Sequence, residues 1–105
     1  MELLTEELKR RLPPLRSTEE TPLEERIAIC KWFTPDSSWT WYILEGEEEQ
    51  DGDWLFFGLV EGWEREFGYF SLNEISGVRG PLGLPVERDL HFQDRPLREI
   101  LDRKA

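Results

Sequence analysis

The residues best suited to chemistry are a single cysteine and a single histidine, Cys30 and His91. A nucleophilic mechanism needs an activated nucleophile beside a base. Cys30 alternates with apolar residues in a predicted strand, and Lys31 should point to the opposite face, so we expect a buried, inert thiol. Asp89, two residues before His91, is placed to orient its ring, yet no nucleophile lies near in sequence. We therefore expect a protein that depends on neither residue for catalysis.

A metal site would have to draw on the acidic segment from Glu45 to Asp53. Asp51 and Asp53 offer the oxygen ligands that hard cations prefer. However, Asp51-Gly52 between two apolar runs is also a hairpin signal, and the spacing does not complete a calcium-binding loop. We expect a turn and no bound cofactor. Asp51 and Asp53 remain the candidate ligands of an alternative, a metal-dependent hydrolase or nuclease that uses clustered carboxylates.

Candidate binding residues lie in one loop and beside two turns. Residues 79–85 contain two glycines and two prolines, which excludes regular structure. Such a loop either packs Leu82 and Leu84 onto the sheet or forms a rigid binding loop with arginines as contacts for carboxylates. Exposed tryptophans beside loops would mark a binding face. The predicted partner contacts are Trp39, Trp63, Arg79 and Arg88.

The charge balance narrows the classes of partner. The chain carries 23 acidic and 13 basic residues, a net charge of −10. This charge repels nucleic acid phosphates and anionic lipid, so direct nucleic acid binding is disfavoured. One cysteine allows no internal disulfide, no secretory signal begins the chain, and no apolar run approaches the length of a membrane helix. We expect a cytoplasmic protein without a membrane segment, whose acidity serves solubility or attracts a basic protein.

The elements that must position these residues begin with a sheet. Alternating apolar positions predict strands near residues 26–33, 39–45, 54–60 and 65–70. The connections are short, so the strands should form an antiparallel meander. The segment 54–60 is apolar on both faces and is expected to be covered on both sides. A short edge strand is predicted within residues 86–92.

Helices are predicted before, between and after these strands along the chain. Leucines at four-residue spacing predict a helix over residues 3–12 that Thr5 caps. Thr21 and Ser71 each begin a capping-box pattern, the first before a single helical turn and the second before a short helix. Asp94 is placed to cap a final helix whose apolar face contains Leu97, Ile100 and Leu101. The predicted fold is α+β: an antiparallel meander of about four or five strands with an N-terminal, a mid-chain and a C-terminal helix, in a single globular domain over residues 1–105.

Several short motifs stand out along the chain: Leu3-Leu4-Thr5, Leu12-Pro13-Pro14-Leu15, Phe33-Thr34-Pro35, Trp39-Thr40-Trp41-Tyr42, Asp51-Gly52-Asp53, Phe56-Phe57-Gly58-Leu59-Val60, Gly68-Tyr69-Phe70-Ser71-Leu72 and the stretch 79–89. They resemble those of a family of small proteins from bacterial plasmids and other mobile genetic elements, domain of unknown function 2958. The resemblance covers nearly the whole chain. It implies a bacterial, cytoplasmic, mobile-element setting, and it supplies no activity, cofactor or catalytic residue.

Three functional hypotheses follow. The leading one is a non-catalytic accessory protein of a mobile element that binds an unidentified protein partner, and it predicts an exposed apolar patch. The hydrolase or nuclease predicts a concave site with converging carboxylates. A DNA mimic that inhibits a nucleic-acid-binding protein predicts acidic side chains on one face at phosphate-like spacing.

Overall fold

Three short helices and seven strands form the part of the chain that the computed structural model describes, residues 1–102. The last three residues of the expected domain lie outside it. In chain order the elements are α1 (Glu6–Arg11), a 3-10 turn (Leu23–Glu25), β1 (Ile27–Ala28), β2 (Cys30–Phe33), β3 (Thr40–Glu48), β4 (Trp54–Glu61), β5 (Arg65–Ser71), α2 (Leu72–Ser76), β6 (Glu87–Arg88), β7 (Arg95–Pro96) and α3 (Leu97–Leu101).

The main sheet has five antiparallel strands in the order β5-β4-β3-β2-β6, which confirms the α+β class and the meander from β2 to β5. Trp41 and Tyr42 on β3 belong to separate apolar clusters on opposite faces, as the alternation predicts. On β4, Phe56 and Leu59 are fully buried, one on each face. The prediction that this strand is covered on both sides is therefore confirmed.

The first face of the sheet, the one that carries Trp41 and Phe56, is covered by the N-terminal segment and α2. Trp32 lies at its centre with no exposed surface, and its indole nitrogen donates to the carbonyl oxygen of Leu3 at 2.9 Å. The rings of Trp32 and Phe56 meet edge to face, with centroids 5.1 Å apart. A buried indole needs such a partner for its N–H, so this hydrogen bond holds the N-terminal segment against the sheet.

The second face, the one that carries Tyr42 and Leu59, is covered by α3 and by the loop that follows α1. Leu97 and Ile100 of α3 are buried against it and Leu101 is half-buried, which confirms the predicted apolar face of the last helix. Both faces of one small sheet are thus occupied, and most of the apolar strand residues are removed from water.

Two predicted strand boundaries are wrong. The segment 26–33 is not one strand, because β1 pairs with β7 in a separate two-stranded sheet while β2 pairs with β3. The strand predicted over residues 39–45 continues to Glu48, so only the end of the acidic segment forms the turn, in which Gly52 adopts φ +89°. A β-bulge at Leu44 separates the two halves of β3. Local alternation reveals neither the bulge nor a partner strand almost seventy residues away.

Two of the predicted helix caps are confirmed. The Thr5 hydroxyl accepts from the backbone N–H of Leu8 at 3.2 Å. At α2 the capping box is complete: the Ser71 hydroxyl accepts from the N–H of Glu74 at 3.0 Å, and the Glu74 carboxylate accepts from the N–H of Ser71 at 3.2 Å. Each bond satisfies a backbone group that a helix terminus leaves without a partner.

The other two predicted caps are wrong. The 3-10 turn begins after Pro22 without a side-chain cap, so Thr21 does not form a capping box. α3 begins after Pro96, also without a side-chain cap, because the pairing of β7 with β1 takes residues 95–96 into strand and moves the helix start beyond the reach of Asp94. Asp94 instead pairs with Arg11. The edge strand predicted in residues 86–92 is present but only two residues long, as β6.

Candidate functional site

A cleft of about 420 Å³ opens on the first face, between the sheet and the segment that follows α2. Its apolar lining includes Trp39, Trp41, Val60, Ile75 and Val78. Lining residues with a hydroxyl or a charged group are few: Thr34, Ser37, Tyr69, Glu74 and Arg79. A concave surface of this size with an aromatic lining and a few polar groups is typical of a site that takes an apolar group.

Glycines contribute to the shape of this cleft. The Trp39 ring lies against Gly62, where an added Cβ would come within 2.4 Å of it, and the ring stacks on Trp41 with centroids 6.1 Å apart. On β5, Gly68 pairs with Gly58, and a side chain there would share the face of Phe70, which lines the cleft. A Cβ at Gly68 would meet no atom within 4 Å. The space above Gly68 on this face of the sheet is therefore open, and a larger residue at this position would fill it.

One wall of the cleft is the loop 79–85, which a carboxylate holds in place. Asp36, in the β2–β3 turn, accepts from the backbone N–H of Leu82 at 2.7 Å and from that of Leu84 at 3.4 Å. The carboxylate lies so close to Gly80 that a Cβ there would come within 1.7 Å of Oδ1. Arg79 forms a β-bridge with Pro85 at the base of the loop. These contacts hold the loop in place through its backbone.

Exposed apolar side chains lie in the loop 79–85 and in the β4–β5 turn, whose Gly62 packs against the Trp39 ring of the cleft. Trp63 follows Gly62 in the β4–β5 turn and is 91% exposed. In the loop 79–85, Leu82 is 79% exposed and Leu84 is 43% exposed. We call Trp63, Leu82 and Leu84 the apolar rim. Leu82 and Leu84 thus do not pack onto the sheet in the way that the structural interpretation of the loop predicts.

Three of the four predicted partner contacts lie at or beside the cleft. Trp39 and Arg79 both line it, and Trp63 belongs to the rim. The Arg79 guanidinium donates to the carbonyl oxygens of Ser76 and Val78, at 2.9 and 2.8 Å, and so also closes the end of α2. Arg88 does not join them.

Arg88 lies in a different depression, with Lys31, Asp89 and His91. Its Nε donates to the carbonyl oxygen of Glu2 at 3.0 Å. Asp89 accepts from the backbone N–H of His91 at 2.9 Å, and its other oxygen lies 3.7 Å from Lys31 Nζ. The carboxylate that the sequence places beside the histidine is thus engaged with the backbone and with a lysine.

Asp51 and Asp53 form the hairpin turn. Asp51 Oδ1 accepts from the N–H of Asp53 at 3.0 Å, and Asp53 Oδ1 accepts from the N–H groups of Trp54 and Asn73, at 2.8 and 3.1 Å. Within residues 1–102, no three histidine, cysteine or acidic side chains come together as a metal would require. The two carboxylates therefore have a geometric role in the turn, and the hydrolase alternative stays a prediction without a ligand set in this part of the chain.

Cys30 lies in the apolar cluster of the first face and is 4% exposed, as predicted for an inert thiol. Burial raises its pKa to about 12, because the thiolate would lose its hydration. Lys31 points to the other face, where its ammonium lies 5.7 Å from the centre of the Tyr42 ring. Cys30 is therefore a thiol at neutral pH, because the cost of burying a thiolate outweighs the opposing effect of the Arg88 and Arg11 guanidinium groups.

Sequence reasoning missed the most buried carboxylate. Glu45 is 2% exposed and accepts from the N–H of Arg16 at 2.8 Å, from the N–H of Thr18 at 3.1 Å and from the Thr18 hydroxyl. Arg16 adopts a left-handed backbone with φ +68°, which helps these donors converge. In the sequence Glu45 only begins an acidic run, so no local signal separates it from its exposed neighbours.

The fold and the cleft define a class of small α+β protein with a five-stranded antiparallel sheet and an aromatic cleft beside a carboxylate-anchored loop. The chain belongs to a family of proteins of unknown function, DUF2958, whose model matches residues 3–102. This confirms the family resemblance. No curated protein and no solved structure matches the chain. Among the helices of residues 1–102, none has the length and hydropathy to cross a membrane.

Proposed function

We propose that the protein acts by binding another protein through the cleft and the apolar rim. The observation that carries this proposal is the near-complete exposure of Trp63, at 91%, next to a cleft lined by further tryptophans. A tryptophan can bury about 150–250 Å² and is enriched among the residues that dominate binding energy at interfaces. A partner that covers Trp63 and Leu82 would remove this apolar surface from water.

The acidic groups near the cleft indicate the charge of the partner. Glu74 lines the cleft, and Glu64 and Glu66 are exposed in and after the β4–β5 turn. Within residues 1–102 none of these three forms an ion pair with a basic side chain, whereas Arg65 pairs with Glu61 at 2.8 Å. A partner with lysine or arginine beside its apolar contact would complement this surface and would associate faster at low ionic strength.

The setting we propose is that of an accessory protein of a mobile genetic element, which is what the motif resemblance implies. The role we propose is non-catalytic: the cleft supplies apolar walls, a few hydroxyl-bearing residues, one carboxylate and one guanidinium that already binds backbone carbonyls. Such a surface recognises a side chain, and it has neither a nucleophile beside a base nor converging carboxylates.

The test is a quantitative capture of partners from the native host. Trp63→Ser and Leu82→Ser should each leave the fold intact, because both side chains are largely exposed, and should reduce recovery of the specific partner by about tenfold or more, the effect of losing a contact worth about 1.4 kcal/mol. Leu90→Ser is the matched control, since Leu90 is 62% exposed in the depression that contains His91. Equal recovery with all three variants would contradict the proposal.

A further inference from the structure

The outer edge of β5 is an open strand edge. β5 is the first strand in the sheet order and pairs only with β4, from Leu55↔Ser71 to Glu61↔Arg65. No backbone group of another segment within residues 1–102 bonds to its far side. β5 is seven residues long and contains no proline, and its charged residues, Arg65 and Glu66, stand at its first two positions, so residues 67–71 lack the groups that commonly protect strand edges. It therefore offers a row of N–H and C=O groups to an additional strand.

The opposite edge of the sheet is not open in this way. β6 is only two residues long, and the N–H of Arg88 donates to the sulfur of Met1 at 3.1 Å. The guanidinium of Arg88 also binds the N-terminal segment, at the carbonyl oxygen of Glu2. The sheet is thus protected at β6 and unprotected at β5.

Aromatic side chains lie along the open edge on the second face. Phe67 is 37% exposed and Tyr69 is 54% exposed, two residues apart on β5. Both rings contact Phe57, with centroids 6.2 and 5.1 Å away. A strand added beside β5 would place alternate side chains against Phe67 and Tyr69, which is how cross-strand aromatic pairs stabilise a sheet.

The first face of the same strand leads to the cleft. The residues of β5 that point there are Glu66, Gly68 and Phe70, and Gly68 leaves open space above the sheet. The remaining side chains of an added strand would therefore meet the acidic group of Glu66 and the entrance of the cleft. Basic side chains suit the first of these positions, and apolar side chains suit the second.

We propose that the partner contributes an extended segment of alternating apolar and basic residues that adds to β5 as a sixth strand. Main-chain hydrogen bonds to the β5 edge provide affinity, and the aromatic pair on one face and the cleft with Glu66 on the other provide specificity. This inference rests on the proposed function, because it specifies how a protein partner reaches the cleft.

The test is selection of a random twelve-residue peptide library, displayed on phage, against the full chain and against two variants. The first variant is Phe67→Lys/Tyr69→Lys, which places protective charges on the open edge, and the control is Leu90→Lys. We expect the enriched peptides to alternate apolar residues with lysine or arginine. They should bind the edge variant about tenfold or more weakly and the control about as well as the original chain.

A second measurement does not depend on the variants. A synthetic copy of the best peptide should slow hydrogen exchange at the outward-facing amides of residues 65–71, and a copy that is N-methylated at alternate backbone positions should lose both binding and protection. Peptides that bind the edge variant equally and perturb only Trp39 and Trp41 would overturn strand addition but leave the proposed function standing.

The remaining outcomes separate the two proposals. If the peptide protects β5 and binds Trp63→Ser with the same affinity as the original chain, that result would support strand addition and count against the apolar rim as the binding surface. Protection of β5 that grows with protein concentration in the absence of peptide would identify a second copy as the occupant and overturn the inference. If no peptide is enriched more strongly by the original chain than by the edge variant, strand addition is overturned as well. The capture experiment would still decide the proposed function.

Discussion

On each face of the sheet a carboxylate binds the backbone N–H groups of a loop, yet one loop closes over the sheet and the other leaves a cleft. Glu45 lies inside β3 and is 2% exposed, so the loop that it binds, residues 15–18, packs down on the second face. Asp36 lies in the β2–β3 turn at the end of the sheet and holds the loop 79–85 from there. The carboxylate inside a strand thus holds a loop that is packed on the sheet, whereas the carboxylate in the turn holds a loop that forms the wall of a cleft.

The difference also separates stability from binding within one molecule. The packed parts of both faces contain side chains that are buried completely, such as Trp32 and Leu97. The cleft and its rim contain side chains that the fold does not need to bury, such as Trp63. The comparison predicts large stability effects at the first set of positions and small ones at the second.

The largest effect is expected from Trp32→Ala on the first face. The substitution removes a fully buried ring and its hydrogen bond to Leu3, and it should lower the free energy of unfolding by about 3–5 kcal/mol. Trp63→Ala is the matched control and should change it by less than about 0.5 kcal/mol, because Trp63 is exposed. Urea unfolding followed by circular dichroism measures both. Similar losses of unfolding free energy in the two variants would contradict the distinction between the packed core and the apolar rim.

On the second face, Glu45→Ala should lower the free energy of unfolding by about 1–3 kcal/mol, because the N–H groups of Arg16 and Thr18 lose their acceptor. Hydrogen exchange at these two amides should become much faster. Glu49→Ala is the control, since Glu49 is an exposed acid in the same run of sequence. If amide exchange at residues 16 and 18 stays slow in a stable Glu45→Ala protein, Glu45 is not what holds the loop.

The buried thiol of the first face should give a pH dependence. The folded state keeps the Cys30 proton up to a pKa of about 12, whereas the unfolded state releases it near the ordinary value of 9.0. The contribution is therefore fully present below pH 9.0 and is lost as the pH rises, by up to about 1.4 kcal/mol for each further pH unit.

Urea unfolding of the original chain and of Cys30→Ala at pH 8.0 and 10.0 measures this effect. The original chain should lose more stability over this interval, and the difference between the two slopes isolates the thiol. Parallel slopes would show that Cys30 ionises as readily in the folded protein as in the unfolded one.

The smallest effect is expected at the capping box of α2. Ser71→Ala should lower the free energy of unfolding by about 0.5–2 kcal/mol, because the N–H of Glu74 loses its acceptor. Ser76→Ala, at the other end of the same helix, should have less effect, since the Ser76 hydroxyl forms no cap. Thermal melting distinguishes the two variants. A larger loss at Ser76 would contradict the assignment of the cap.

Much of the fold can be predicted from local sequence patterns. Alternation on β3 and β4, the Asp51-Gly52 turn and the caps at Thr5 and Ser71 all involve residues a few positions apart, whose physical preferences do not depend on the rest of the chain. The wrong cap at Asp94 has the opposite character. At Asp94 the long-range pairing of β1 with β7 overrides a local capping preference worth only about 1 kcal/mol.

The candidate site was only partly predictable for the same reason. Trp39, Trp63 and Arg79 are identifiable from their places beside turns, and the structure brings them to one end of the sheet. Arg88 follows the same loop in sequence but is drawn to the N-terminal segment on another side of the molecule. Sequence spacing does not encode such a separation.

The sequence by itself determined the α+β class, the meander, the buried thiol and the family to which the chain belongs. These depend on periodicity, composition and short motifs, which act over a few residues. Only the tertiary structure decided that Glu45 is buried, that Asp36 anchors a loop, and that the space beside Gly68 is open. Each of these depends on which distant segments meet, because burial and hydrogen bonding are properties of the surroundings of a side chain and not of its type.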